Sequence, residues 1–261
     1  IHHQSKNFVK KKKINFSTPI NLNSKEELKI FEKISPDIVI VVAYGQIIPK
    51  NFLDKVKFGF INIHASLLPK WRGAAPIQRA IMNRDKKIGV TIMKIIEKLD
   101  SGPILSSKEL ELPQNKTHGE IEEQLSVVGA DLLIESLRAI ENEKQKYVEQ
   151  IHSEATYAKK INKKETKINW YLDANKVLAH IHGLSPTPGA WFEYEKERFK
   201  ILKGKVINKN GEPSSIIDEN LSVACKSNSI QILEIQRQGK KKQTTKEFLL
   251  GTKIKYGSIL S

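Results

Sequence analysis

Residues 61–78, Ile-Asn-Ile-His-Ala-Ser-Leu-Leu-Pro-Lys-Trp-Arg-Gly-Ala-Ala-Pro-Ile-Gln, constrain this chain more than any other stretch. The run opens as a strand, because Phe60, Ile61 and Ile63 are apolar while Asn62 and His64 stand two residues apart. Alternate residues of a strand face one side, so the two polar side chains project together. They stand at the C-terminal end of the strand, which is where open α/β sheets bind ligands. Residues 66–69 then form a turn, and Trp71-Arg72-Gly73 interrupts regular structure before a helix that Pro76 can open in its first turn. Taken alone, Asn62 and His64 also fit a hydrogen-bonded pair that closes a strand end.

Their company narrows the choice. Gly89-Val90-Thr91-Ile92-Met93 reads as a second buried strand, within a strand spanning 88–96. Leu99-Asp100-Ser101-Gly102-Pro103 reads as a loop that presents one carboxylate. An amide, an imidazole and a carboxylate, with no cysteine or metal-ligand cluster beside them, suit acyl-type transfer to an amine.

Around this centre the chain alternates strands and helices, the signature of an α/β domain. Ile38-Val39-Ile40-Val41-Val42 is a continuous β-branched run, expected to be a strand buried on both faces of a parallel sheet. Tyr44 and Gly45 follow in the loop at its ligand-binding end. Residues 1–13 are expected to form a basic helix and 14–16 a short strand. Ser24 and Glu27 form a capping-box pattern for a helix reaching residue 34. Residues 52–56 and 76–84 are expected as helices, and 106–112 as a strand leaving the sheet. A long amphipathic helix is expected over 117–140, opened by a second capping box at Thr117 and Glu120.

Length points to two domains, since 261 residues exceed the usual single-domain size. Residues 1–142 form the first, 143–164 a polar linker, and 165–261 the second. A helix at 174–181 precedes short strands at 191–194, 198–207, 215–218, 221–225 and 229–236, a spacing that suits a small barrel. A last helix covers 245–249. The net charge is +15. Residues 151–261 hold 20 Lys/Arg against 11 Asp/Glu, a surplus of nine, and they include the run Lys240-Lys241-Lys242. Such a surplus favours a polyanionic partner, nucleic acid first. The single Cys225 excludes an internal disulfide framework, fits a reducing cytoplasm, and reads as a small buried hydrophobe. No apolar run reaches membrane-spanning length, so no membrane partner is expected.

Asn62, His64, Asp100, the Ser66-Leu67-Leu68-Pro69 turn and the Trp71–Gln78 run together resemble the folate-dependent formyltransferases, and among them the methionyl-tRNA formyltransferases. The resemblance spans nearly the whole chain. It implies a Rossmann-like parallel-sheet catalytic domain followed by a small OB-like β-barrel domain. A first βαβ section of that family, with its glycine-bearing turn and basic loop, is not found in the sequence.

The implied reaction passes the formyl group of 10-formyltetrahydrofolate, a cosubstrate, to the methionine amino group of initiator methionyl-tRNA, with no metal. Asn62, His64 and Asp100 would be catalytic. Ser66, Leu67, Leu68, Pro69, Tyr44 and Gly45 would contact the folate. Arg72 would meet tRNA phosphates or the folate tail, unless it merely fixes its own loop. Lys240, Lys241 and Lys242 would contact tRNA, and the protein would act as a cytoplasmic monomer. Lys70 departs from the arginine usual in the family, keeping charge but losing two-pronged contacts. Whether His64 works as an acid or as a hydrogen-bond donor to the developing oxyanion is left open at this level. Two other functions fit the same residues: a formyltransferase acting on an amino-sugar nucleotide or glycinamide ribonucleotide, and an RNA-binding protein on an inactive scaffold.

Overall fold

The computed structural model describes residues 8–252 and 254–261. Residues 8–11 are helical, residues 1–7 of the expected first helix lie outside the described residues, and 14–16 are irregular rather than a strand. The first domain then runs α1 (Lys25–Ile34), β1 (Val39–Val42), α2 (Lys50–Leu53), β2 (Phe60–His64), β3 (Arg72–Gly73), α3 (Pro76–Met82), β4 (Lys87–Lys94), β5 (Ile104–Glu111) and α4 (His118–Glu141).

Four of these strands form one sheet in the order β1-β2-β4-β5. The expected parallel pairing holds between β1 and β2, where Val41 stands beside Asn62 and α2 makes the crossover. The sheet then continues antiparallel through β4 and β5. β5 does not leave the sheet as its polar sequence suggests, because it stays paired with β4 from Lys87–Glu111 to Met93–Ile104. β1 is not buried on both faces either: Val39 to Val41 are half-buried and Val42 is exposed, since β1 is the outer strand of the described sheet.

Strand alternation divides β2 between two cores. Ile61 and Ile63 pack toward α4 with Val90, Ile92, Ile121 and Leu125. α4 can approach closely because Gly129 faces β2, and a Cβ there would stand 3.1 Å from Ile63 Cγ2. On the opposite face Phe60 joins Phe31 and Phe52, with the Phe31 and Phe60 ring centroids 5.9 Å apart. The α4 capping box forms as expected: Glu120 N donates to Thr117 Oγ1 at 3.4 Å, and Thr117 N donates to Glu120 Oε2 at 2.8 Å. At α1 only half of the box is made, with Glu27 N donating to Ser24 Oγ at 3.1 Å.

The second domain carries α5 (Ala174–Leu184), β7 (Ala190–Tyr194), β8 (Glu197–Ile207), β9 (Ser222–Ala224), β10 (Ser229–Arg237), β11 (Gln243–Thr244) and α6 (Thr245–Gly251). Its strands pair antiparallel in the order β11-β10-β8-β7, with β9 also on β10. The ladders make an open half-barrel. The strand expected at 215–218 is reduced to single bridges, Ser215 to Ile259 and Ile216 to Val223, because this stretch lies among turns. Phe192 stacks on Phe199 at 5.6 Å, and Phe199 meets Phe248 of α6 edge-on at 5.7 Å, at the centre of a core that also buries Cys225.

The joining segment is not a free tether. Val148 bridges to Ile104, Gln150 is buried, and β6 (Tyr157–Ala158) pairs in parallel with β3, matching Arg72 to Tyr157 and Gly73 to Ala158. Backbone N–H and C=O groups taken from water need partners, and this polar stretch finds them along β3. Further contacts lock the two domains together. Arg79 of α3 grips Glu165 through Nη1 at 2.9 Å and Nη2 at 3.0 Å, and Gly119 N donates to Ser185 O at 3.0 Å. Among the described residues, no helix is long and apolar enough to cross a membrane.

Candidate active site

Asn62 and His64 lie on the same face of β2 as Phe60, at the end of the strand, beside the loop that leaves β1 at residues 43–46. Among the described residues no hydrogen bond engages the Asn62 amide, which is half-buried and lies beside Met93 of β4. A donor held on a rigid strand without an internal partner is available to a ligand.

His64 is 6% exposed, with its ring held through Nε2. Nε2 lies 2.9 Å from the Trp71 carbonyl. A carbonyl only accepts, so Nε2 carries the proton and the exchangeable position is Nδ1. Nδ1 faces Asp100 Oδ2 at 3.8 Å. The Trp71 carbonyl is itself well fixed: Trp71 N donates to Thr156 Oγ1 at 2.9 Å and its indole N–H donates to Asp85 Oδ2 at 2.7 Å. The carboxylate is anchored from the other side, where Gly73 N donates to Asp100 Oδ2 at 2.8 Å. Asp100 has φ +44°, an uncommon left-handed conformation for a non-glycine residue. The 61–78 stretch and the loop at Asp100 thus converge on one imidazole–carboxylate pair.

Within the turn after β2, Ser66 and Leu68 are tied into the turn itself. Ser66 Oγ donates to Lys70 O at 2.6 Å, Thr91 Oγ1 donates to Ser66 O at 2.7 Å, and Leu68 N donates to Thr91 Oγ1 at 3.2 Å. Ser66 and Leu68 are buried in shaping the turn, while Leu67 and Pro69 stay half-buried. Tyr44 and Gly45 are exposed, and a Cβ at Gly45 would meet nothing within 4 Å, so open space borders this backbone.

Arg72 requires a correction. It is among the largest fully buried side chains, 1% exposed, with Nε and Nη2 donating to Gln150 Oε1 at 3.1 and 2.6 Å and Nη2 lying 3.0 Å from His152 Nδ1. A guanidinium so enclosed cannot reach tRNA phosphates, and the loop-fixing role is the one its surroundings support. Gln150 and Thr156 were missed by sequence reasoning, since polar residues in a polar connecting segment carry no pattern. Lys240, Lys241 and Lys242 are exposed in the turn from β10 to β11, far along the chain from β2, and Lys242 Nζ lies 3.3 Å from Glu234. No group of three or more His, Cys, Asp or Glu that could hold a metal occurs among the described residues.

A family profile described as formyl transferase matches residues 2–137, and a second, described as the formyl transferase C-terminal domain, matches residues 160–253. The methionyl-tRNA formyltransferase of Pelagibacter ubique is 47% identical, over 95% of this chain and 81% of that protein. That of a Chelativorans species is 40% identical, over 94% and 80%. Among solved structures, HypX from Aquifex aeolicus in complex with tetrahydrofolic acid aligns with a TM-score of 0.66 at 18% identity, covering 88% of this chain and 44% of that one. The methionyl-tRNA formyltransferase from Clostridium thermocellum aligns with a TM-score of 0.60 at 20% identity, covering 80% and 89%. These two structures share the fold.

Proposed function

The chain belongs to the methionyl-tRNA formyltransferase family, and from that premise we propose how its residues divide the work. Its reaction transfers a formyl group from 10-formyltetrahydrofolate to the free amino group of methionine on initiator methionyl-tRNA. The folate supplies a formyl carbon already bonded to nitrogen, so the protein needs only to orient it, stabilise charge on its oxygen and move a proton.

The residues present fit such a cosubstrate. The Asn62 amide lacks a protein partner among the described residues, and open space adjoins Tyr44 and Gly45 at the end of the neighbouring strand. Tyr44, Gly45, Leu67 and Pro69 would line its site, with Ser66 and Leu68 shaping the turn beneath.

In this account Asn62 donates its amide N–H to the formyl oxygen as negative charge develops there. One such donor is worth about 3–4 kcal/mol of barrier, so Asn62 is one contributor among several. His64 keeps its Nε2 proton on the Trp71 carbonyl, would take the proton released by the attacking amine on Nδ1, and would pass it to the leaving folate nitrogen as the bond from that nitrogen to the formyl carbon breaks. Asp100 stabilises the charged imidazole that results. The α-amino group titrates near pH 8 or below, so roughly a tenth of it is unprotonated at neutral pH and no stronger base is required to generate the nucleophile. The observation that carries this assignment is the fixed Nε2–H, which leaves Nδ1 and Asp100 facing each other.

We read the half-barrel of the second domain as OB-like, supported by the two register shifts in β10 that bend its sheet. Its lysines, Lys240 to Lys242 among them, would meet tRNA phosphates, and the enzyme would work in the cytoplasm. The test compares wild type with Asn62→Ala on charged initiator tRNA and on a small amine acceptor. Transfer to the tRNA alone, falling about 10²- to 10³-fold in the variant, supports the assignment. Preferred transfer to the small amine, or an unchanged rate in Asn62→Ala, contradicts it.

A further inference from the structure

The buried amide of Gln150 joins the domain-connecting segment to the loop that presents Asp100. Its Nε2 donates to Asp100 O at 3.0 Å and to Gly102 O at 2.7 Å, while its Oε1 accepts from Arg72 Nε at 3.1 Å and Nη2 at 2.6 Å. Both donors and the acceptor oxygen of the side chain are therefore in use. We propose that Gln150 is a positioning residue for the reaction, setting the carboxylate of Asp100 against His64 by holding the backbone of its loop. This inference rests on the catalytic role given to Asp100 above.

The chemistry at this position is restrictive. The Arg72 guanidinium is fully buried, and among the described residues it has no carboxylate within ion-pair distance. A carboxylate at position 150 would satisfy that charge better than an amide does. It would not donate to two carbonyls, however, and would set its own negative oxygen against them. Only a side chain with an acceptor at one corner and two N–H groups at the other serves both partners. The loop also has little freedom to adjust. A Cβ at Gly102 would collide with the Lys94 carbonyl, and Asp100 is held at φ +44°.

Two chain neighbours close the ring. Arg72 reaches the Asp100 carbonyl through Gln150, and Gly73 N binds the Asp100 carboxylate directly. The pairing of β6 with β3 and the Val148–Ile104 bridge flank Gln150 and fix where its segment crosses the loop. The connecting segment is thus a structural part of the catalytic pair's support.

The test uses the full chain and single-turnover and steady-state formyl transfer with Gln150→Glu, Asp100→Asn and the double variant. Gln150→Glu keeps an acceptor for the buried Arg72 charge while removing the donors to Asp100 and Gly102. A misplacement on the scale of 1 Å costs about 100-fold, so kcat is expected to fall about 10- to 100-fold with KM for both substrates within about threefold. In the Asp100→Asn background the same substitution is expected to add little, because both act through one group. Gln150→Asn, which keeps a neutral amide but draws it back by one methylene, serves as the second variant should Gln150→Glu not fold, with the same expected kcat loss. If Asp100→Asn is slow but the Gln150 variants match wild type, or their losses multiply in full, the positioning role is overturned and the site assignment stands. If Asp100→Asn matches wild type, both fall.

Discussion

Glu120 of α4 and Lys203 of β8 meet at 2.8 Å across the boundary between the two domains. The same carboxylate closes the α4 capping box, accepting from Thr117 N at 2.8 Å and Thr117 Oγ1 at 3.0 Å. Burial pushes the Glu120 carboxyl up, but the hydrogen bonds from Lys203 and Thr117 together outweigh it and hold it at about 2. A folded pKa below the unfolded value contributes stability that is complete above the unfolded value and is lost as pH falls toward the folded one. Stability should therefore decline between about pH 4.5 and pH 2 in part through this group. Denaturant unfolding across that range should show a shallower decline in Glu120→Gln, which starts from lower stability at pH 7. An identical slope in the two proteins would refute the assignment.

Gly73 is expected to tolerate no side chain. Its φ is +119°, and a Cβ there would stand 2.8 Å from the Ala158 carbonyl oxygen. Backbone strain of this kind costs about 1–3 kcal/mol, and any shift moves the N–H that anchors Asp100. Gly73→Ala should lower both the urea midpoint and the formyl-transfer rate. A variant with wild-type stability and rate would show that β3 and β6 part without consequence.

The Cys225 thiol is expected to be inert in the folded protein. Burial pushes it up to about 12, with the nearby Asp173 carboxylate adding to the effect. The thiolate fraction at pH 8 is then minute, and the thiol is enclosed. A soluble disulfide reagent should label no cysteine in the native state and one after unfolding. Rapid labelling of native protein would place the thiol at the surface.

Binding of tRNA is expected to weaken steeply with salt, through counterion release from its phosphates. Each lost phosphate contact reduces the log–log slope by about 0.7–0.9. Replacing Lys240, Lys241 and Lys242 together by alanine should therefore reduce it by about 2–3 if all three meet phosphate. An unchanged slope would take this turn out of the tRNA interface.

How much of this was legible in the sequence depended on whether a residue's neighbours in sequence were also its neighbours in space. Asn62 and His64 could be placed together because strand alternation is local, and β2 keeps that alternation. The Thr117–Glu120 box was legible for the same reason. Asp100 could be picked out as the carboxylate of a loop, but its anchor on Gly73 and its left-handed backbone could not. For Arg72 the sequence left a contact to tRNA phosphates or the folate tail open beside a loop-fixing role, and nothing local decided between them. The burial of Arg72 is made possible by Gln150, 78 positions later. The β-branched run of β1 marked a strand correctly but said nothing of how many neighbours that strand has.

The most direct test is a structure of the protein with a stable analogue of 10-formyltetrahydrofolate. The account predicts that the formyl oxygen lies within about 3 Å of the Asn62 amide nitrogen, with the formyl carbon open to an amine whose proton can reach His64 Nδ1. A one-carbon group bound away from residues 62, 64 and 100, with the Asn62 amide turned elsewhere, would contradict it.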